Sequence, residues 1–170
     1  MEIRDAVLAD LDEITAIYNE ILTNSTAIYS DRPATLEERI AWWRTRLDQG
    51  YPVLVAVEAT RIAGYATFGD FRSWPGYRFT VEGTVHIHCA SRGMGVGSAL
   101  LRLLIDRAAA INKHSMIAGV DSENVASLRF LERFGFERAG HLREVGYKFD
   151  RFLDLIFLQY KIASETIRQR

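Results

Sequence analysis

The chain has one cysteine, Cys89, in 170 residues. No internal disulfide can form, and neither a Cys-x-x-Cys pair nor the Cys/His spacing of a zinc site is present. A reducing compartment suits such a chain, so a cytoplasmic location and no metal are expected. Apolar runs are short, and none approaches the roughly 20 residues of a membrane-crossing helix. The N-terminal segment carries Glu2, Arg4, Asp5 and Asp10 and lacks the apolar core of a signal peptide, so no membrane partner is expected. Charge of one sign is also lacking. With 21 basic and 22 acidic residues the formal net charge is -1, which argues against a nucleic-acid partner. Only three prolines occur, each near an element boundary, and no repeat or linker interrupts the chain. One domain over residues 1–162 is expected, with a frayed tail over 163–170.

What is present reads as strands and helices. Residues 3–6 suggest a short strand. Asp10 and Glu13 form a capping-box pattern ahead of Leu11, Ile14, Ile17, Tyr18, Ile21 and Leu22, which recur at helical spacing. Thr35 and Glu38 repeat that pattern before Leu36, Ile40, Trp43 and Leu47, and Gly50 ends the helix. Residues 51–58 and 61–70 predict a hairpin, and 71–79 a loop rich in aromatics and arginine. The segment 79–89 alternates. Phe79, Val81, Val85, Ile87 and Cys89 fall on one face, which predicts a buried thiol, and Thr80, Glu82, Thr84, His86 and His88 on the other. A helix over about 97–111 follows, then a strand over 115–120. The next helix runs through Leu128, Leu131 and Phe134 and is closed by Gly135; a last strand spans 154–161. The order β-α-α-β-β-β-α-β-α-β-β predicts a mixed α/β (α+β) fold, one sheet with helices on its faces.

The stretch Ser91-Arg92-Gly93-Met94-Gly95-Val96-Gly97-Ser98 joins the strand at 79–89 to an apolar helix. Glycines let a ligand approach the backbone, and a helix start offers about four unpartnered N–H groups with a partial positive charge. Together they make an anion site, and Arg92 adds a full charge. It is not a P-loop, because Ser98 and Ala99 follow Gly97 where lysine is required. The dinucleotide fingerprint from Gly93 would need glycine at position 98, and that loop belongs after a first strand. The pattern that fits is Arg92-x-x-Gly95-x-Gly97. A glycine-rich turn with no ligand is the alternative.

With a strand before it and an amphipathic helix after it, this pattern resembles the pyrophosphate loop of the GCN5-related N-acetyltransferases. The segment 121–136 extends the resemblance, with Asn124 after the next strand and Gly135-Phe136 closing the helix. Taken alone, Asn124 also reads as a helix N-cap. The resemblance covers about residues 1–162 and implies a central mixed, mostly antiparallel sheet of about seven strands flanked by about four helices. It implies acetyl-CoA as acyl donor, its pyrophosphate on Arg92, Gly93, Met94, Gly95, Val96, Gly97 and Ser98. Its pantetheine arm is implied to lie against Asn124, Ser127 and a splayed strand at Val85, Ile87 and the two histidines, with a backbone N–H there as oxyanion donor. The stretches 17–20, 50–56, 68–82, 92–97 and 145–159 are similar to one branch, the phosphinothricin and methionine sulfone/sulfoximine acetyltransferases. That branch implies a homodimer acting on the α-amine of a small amino-acid analogue, with a glutamate base at the position of Glu82.

The residues carry their own chemistry. Glu82 is an acid in an otherwise β-branched and apolar strand, suited to take a proton from an ammonium if burial raises its pKa. A structural pairing with Arg78 or another arginine is the rival reading. His86 and His88 share its face as proton relays or as satisfied histidines. Arg72 and Arg78 offer planar forks to a carboxylate or phosphinate, and Phe71, Trp74, Pro75, Gly76 and Tyr77 complete a candidate substrate loop. No acid falls within 71–80, which disfavours a polyamine or aminoglycoside. Tyr29 and Lys148 are further candidates. Leu131 occupies the place where many members of the superfamily carry the tyrosine that protonates the leaving thiolate, so free thiolate or water replaces it. Acetylation of another amine, such as a protein N-terminus, and acyl-CoA binding without turnover are the competing functions.

Overall fold

The computed structural model describes residues 1–162; the expected frayed tail, 163–170, lies outside the described residues. Near-continuous apolar runs in the middle of the chain build two central strands buried on both faces, β2 (Val53–Glu58) and β3 (Arg61–Asp70), which pair antiparallel. Around them the order is β1 (Glu2–Asp5), α1 (Leu11–Asn24), α2 (Leu36–Asp48), β2, β3, β4 (Thr80–Ile87), α3 (Val96–Ala110), β5 (Ser115–Asp121), α4 (Val125–Arg133), β6 (Glu137–Lys148) and β7 (Arg151–Lys161). The strands form one seven-stranded sheet in the spatial order β1-β2-β3-β4-β5-β7-β6. Every neighbouring pair is antiparallel except β4 and β5. The mixed, mostly antiparallel sheet with four helices agrees with the sequence. Among the described residues no helix is long and apolar enough to cross a membrane.

Helices cover both faces. On one, Leu100, Leu101 and Leu104 of α3 and Leu128 of α4 bury against Phe68, Val81 and Met116. On the other, Leu11, Ile14 and Ile17 of α1 bury against Val53, Val55 and Tyr65. Each such side chain contributes about 1.5–3 kcal/mol by leaving water, so the two cores hold the sheet between the helix layers.

Several local expectations are corrected. Glu38 and Thr35 do cap α2 reciprocally, at 2.9 and 3.2 Å. Asp10 and Glu13 do not cap each other. The Asp10 carboxylate accepts from the Val7 N–H at 2.7 Å and from Arg4, and Glu13 accepts the Ile62 N–H of β3 at 2.8 Å. Asp10 therefore closes a 3-10 turn ahead of α1. Cys89 is exposed, because β4 ends at Ile87 and residues 89–91 turn into a short 3-10 segment. Phe79 is also exposed and lies outside the strand. The last strand starts at Arg151, three residues earlier than the sequence suggested.

The β6–β7 hairpin reaches back to the far side of the molecule. A bulge between Leu142 and Gly146 bends β6 and brings Gly146 under the ring of Tyr29, so closely that any side chain there would collide with it. Two residues on, Lys148 is almost wholly enclosed. Its ammonium donates to the carbonyl oxygens of Leu22, Ser25 (2.7 Å) and Ile28 (2.8 Å). A cation at the C-terminal end of α1 meets the negative end of the helix dipole and its orphan carbonyls. It fixes the segment between α1 and α2. Replacing Lys148 by methionine keeps the length and leaves three acceptors unmet. The expected loss is about 3 kcal/mol of unfolding free energy, read from urea denaturation at neutral pH.

Candidate active site

The parallel contact of β4 with β5 is short. Thr80, Val81 and Glu82 pair with Ser115, Met116 and Ile117, and pairing then stops although both strands run on. The Met116 thioether crowds the bare backbone of Gly83 just past the last pair. The lips of the split are residues 83–86 on one side and 118–121 on the other. A cavity of about 370 Å³ lies there. It runs from Asn124, Ser127, Phe130 and Leu131 of α4, past Glu82 and Val85, to Tyr18, Arg39 and Trp42 of the other helix layer.

At the α3 end of this region the glycine loop is open. Gly95 is the N-cap of α3 with φ of 85°, in the left-handed region, and Gly93 has φ of 78°. A β-branched residue at position 95 would be strained there. Met94 is 64 % exposed, so the loop has no cover of its own. Arg92 reaches back to Glu20 of α1 at 3.1 Å and to the Ile87 carbonyl at 3.3 Å, which ties the loop to the end of β4. Asn124 caps α4, its side-chain oxygen accepting the Ser127 N–H at 3.1 Å. It also lines the cavity, so cap and lining coincide in one residue.

Glu82 lies where the pairing ends. Its Oε1 is 3.4 Å from where a Cβ at Gly119 of β5 would be, so the carboxylate reaches toward the opposite lip. Among the described residues it makes no ion pair. Arg78 is turned away, donating to the Pro75 carbonyl at 3.1 Å and stacking on Phe79. Burial raises the Glu82 carboxyl above its ordinary value, opposed by the charge of Arg72. His86 lies in the cavity beside Tyr65, ring centres 5.3 Å apart. Burial, with the Arg39 charge adding to it, depresses His86 to about 4, so the imidazole is neutral at pH 7. His88 is not in the cavity; its Nδ1 accepts the Ala90 N–H at 3.2 Å and starts the 3-10 turn.

The expected substrate loop is placed differently. Arg72, Trp74, Pro75, Gly76, Tyr77 and Arg78 are all exposed and none lines the cavity. Residues 75–77 form a 3-10 turn, and Phe71 packs on Phe157 of β7 with ring centres 6.1 Å apart. Lys148 and Tyr29 are committed to structure. The lysine is enclosed by carbonyls, and the Tyr29 hydroxyl donates to the Asp154 carbonyl at 3.1 Å. The end of the cavity toward α1 and α2 is lined by residues that sequence reasoning missed: Tyr18, Arg39, Trp42, Arg46 and Tyr65. The charged run Glu37-Glu38-Arg39 reads as a solvated helix face, and only the fold turns Arg39 inward. Among the described residues there is no cluster of three metal-ligating side chains.

A glycine-rich helix start beside a split parallel strand pair, with an unpaired carboxylate at the split, defines a site for an anionic ligand with an extended arm. Comparison with known proteins gives the class. The acetyltransferase (GNAT) family model matches residues 12–136, and the chain belongs to this family. Among its relatives, the L-methionine sulfoximine/L-methionine sulfone acetyltransferase of Pseudomonas aeruginosa is 47 % identical over 161 residues, covering 94 % of each chain. The phosphinothricin N-acetyltransferase of Streptomyces coelicolor is 36 % identical, covering 94 % of this chain and 95 % of its own. A solved Salmonella typhimurium acetyltransferase with its cofactor acetyl-CoA superposes with a TM-score of 0.94 at 44 % identity, covering 98 % of this chain and 96 % of that one.

The neutral His86 makes stability depend on pH. An unfolded chain binds a proton near the ordinary histidine value of about 6.5, whereas the folded chain waits until about 4. Stability is therefore full above that range and falls as pH drops from about 6.5 to 4. The gap corresponds to about 3 kcal/mol. A folded His86→Phe variant should lose less stability than wild type between pH 7.5 and pH 4.5 in urea titrations. Equal losses would remove the assignment.

Proposed function

We propose that the protein transfers the acetyl group of acetyl-CoA to the α-amine of a small amino-acid analogue of the methionine sulfone, methionine sulfoximine or phosphinothricin type, in a ternary complex. The observation that carries this reading is Glu82: a partly buried carboxylate with no ion pair, at the point where β4 leaves β5. The glycine loop and Arg92 suit the pyrophosphate. The lips of the split present backbone groups unpaired across the gap, which suit the amides of an extended pantetheine arm. Such an acyl donor supplies an activated carbonyl carbon.

The chain's own residues supply the rest. A primary amine arrives substantially protonated at pH 7 and must lose that proton before attack. Glu82 takes it, directly or through a water, and its raised pKa makes it a better base than an ordinary carboxylate. A backbone N–H of the strand within 85–87 faces the developing oxyanion; His88 is spoken for, its N–H donating to the Ala63 carbonyl at 2.9 Å. Leu131 lines the cavity in place of an acidic donor, so the thiolate leaves free or takes its proton from water. His86, neutral with a pKa near 4, orients rather than accepts protons. The relatives named for amino-acid analogues support an amino-acid acceptor. A cavity lined by Arg39 and aromatic rings favours a small acceptor over a protein N-terminus. The exposed 71–78 loop fits action as a homodimer, and the single cysteine fits a reducing compartment such as the cytoplasm. Trp74 is 73 % and Phe152 64 % exposed, and covering them with a second copy would bury both.

Thiol release from acetyl-CoA with phosphinothricin, methionine sulfoximine, methionine sulfone, ordinary amino acids, spermidine and an N-terminal peptide tests the reading. Turnover confined to the analogues is the expected result; turnover of spermidine or peptide alone overturns the acceptor class. Glu82→Gln should lower kcat about 100-fold or more with acetyl-CoA affinity unchanged. The pH profile adds a second check. Activity rises with pH as Glu82 loses its proton, and Arg72 holds that titration down. Arg72→Met should therefore move the acidic limb of kcat/KM to higher pH. A limb that stays in place would separate Arg72 from the base.

A further inference from the structure

Arg39 is the one residue of α2 that is fully buried, at 7 % exposure, and it lines the end of the cavity toward α1 and α2. Its guanidinium is stacked on rings. The central carbon is 3.7 Å from the ring centre of Trp42, 4.4 Å from that of Tyr18 and 5.9 Å from that of Tyr65. Its hydrogen bonding is nearly empty. Nη2 donates to the Tyr65 hydroxyl at a long 3.4 Å, and Nε has no partner. Among the described residues it makes no salt bridge.

A buried charge of this kind is costly unless something compensates it. Aromatic contacts compensate through the faces of the guanidinium and leave its in-plane N–H edge to a planar acceptor. That edge suits two parallel hydrogen bonds to a carboxylate. The other cavity arginine differs. Arg46 donates to Gln49 at 3.0 Å, and the charge of Asp70 acts on it. The Arg46 Nε is likewise without a partner, but among the described residues no carboxylate acts on Arg39 as Asp70 acts on Arg46.

The position agrees with a role in acceptor binding. Tyr65, which touches Arg39, lies directly opposite His86 across β3 and β4. Glu82 is four residues back along β4 on the same face, about 13 Å of strand. Arg39 and Glu82 both line the cavity. We propose that Arg39 binds the carboxylate of the acceptor amino acid and is a specificity-determining residue of the reaction. This rests on the amino-acid reading of the function given above. A formal buried positive charge calls for a formal negative one, and methionine sulfone carries a single one, its carboxylate; the sulfone oxygens are neutral.

The test compares methionine sulfone with its carboxamide at saturating acetyl-CoA, in wild type, Arg39→Met and Arg39→Lys. Wild type should favour the carboxylate compound by about 30- to 100-fold in kcat/KM. Arg39→Met should lose about that factor for methionine sulfone and almost nothing for the carboxamide, so the discrimination collapses. The KM for acetyl-CoA should not move. Should the methionine variant fail to fold, Arg39→Lys keeps a charge but loses the fork, and its discrimination should fall about tenfold. Wild type that does not discriminate, or a folded variant that discriminates as wild type does, would overturn the proposal. Wild type inactive on both compounds but active on spermidine or a peptide would instead overturn the amino-acid reading, and this proposal with it.

Discussion

The hydrogen-bonded contact between β4 and β5 lasts for three residue pairs and then ends. Much of the site follows from that interruption. A fully paired sheet would wall off the face bearing α3 and α4 from the face bearing α1 and α2. The split instead gives one cavity access to both layers. The cores on the two faces keep the rest of the sheet in register, so the opening stays local. Lys148 and the bulge at 142–146 hold the α1–α2 segment beside the cavity, from the opposite edge of the sheet.

Two buried cations illustrate different solutions to one electrostatic problem. Lys148 is enclosed by carbonyl oxygens at the end of a helix, and its three donors are used. Arg39 is enclosed by rings, and most of its donors are unused. The first arrangement is complete within the chain. The second leaves the Arg39 Nε without a partner among the described residues. The same contrast distinguishes Asp10, saturated by Arg4 and Val7, from Glu82, which makes no ion pair among the described residues.

Features written in local spacing were legible in the sequence. The glycine loop ahead of α3, the reciprocal cap of Thr35 and Glu38, and Glu82 on an alternating strand all depend on neighbours a few residues away. Features decided by long-range packing were not. Arg39 sits in a charged run and reads as a surface residue until α2 is laid over Tyr65. Lys148 was open to reading as a substrate contact because nothing local shows that the end of α1 lies above it. The aromatics of the 71–78 loop suggested a pocket wall, yet they lie outside the cavity because the loop folds over β7. Alternation ran on through Cys89 in the sequence, while the strand ended two residues sooner.

That early end of β4 has a practical side. It leaves the chain's one thiol at the surface, three residues before the arginine that opens the glycine loop. A thiol-reactive dye or spin probe would attach at that one address. The wild-type protein thus carries a ready handle for watching this corner of the molecule, with no cysteine to add or remove.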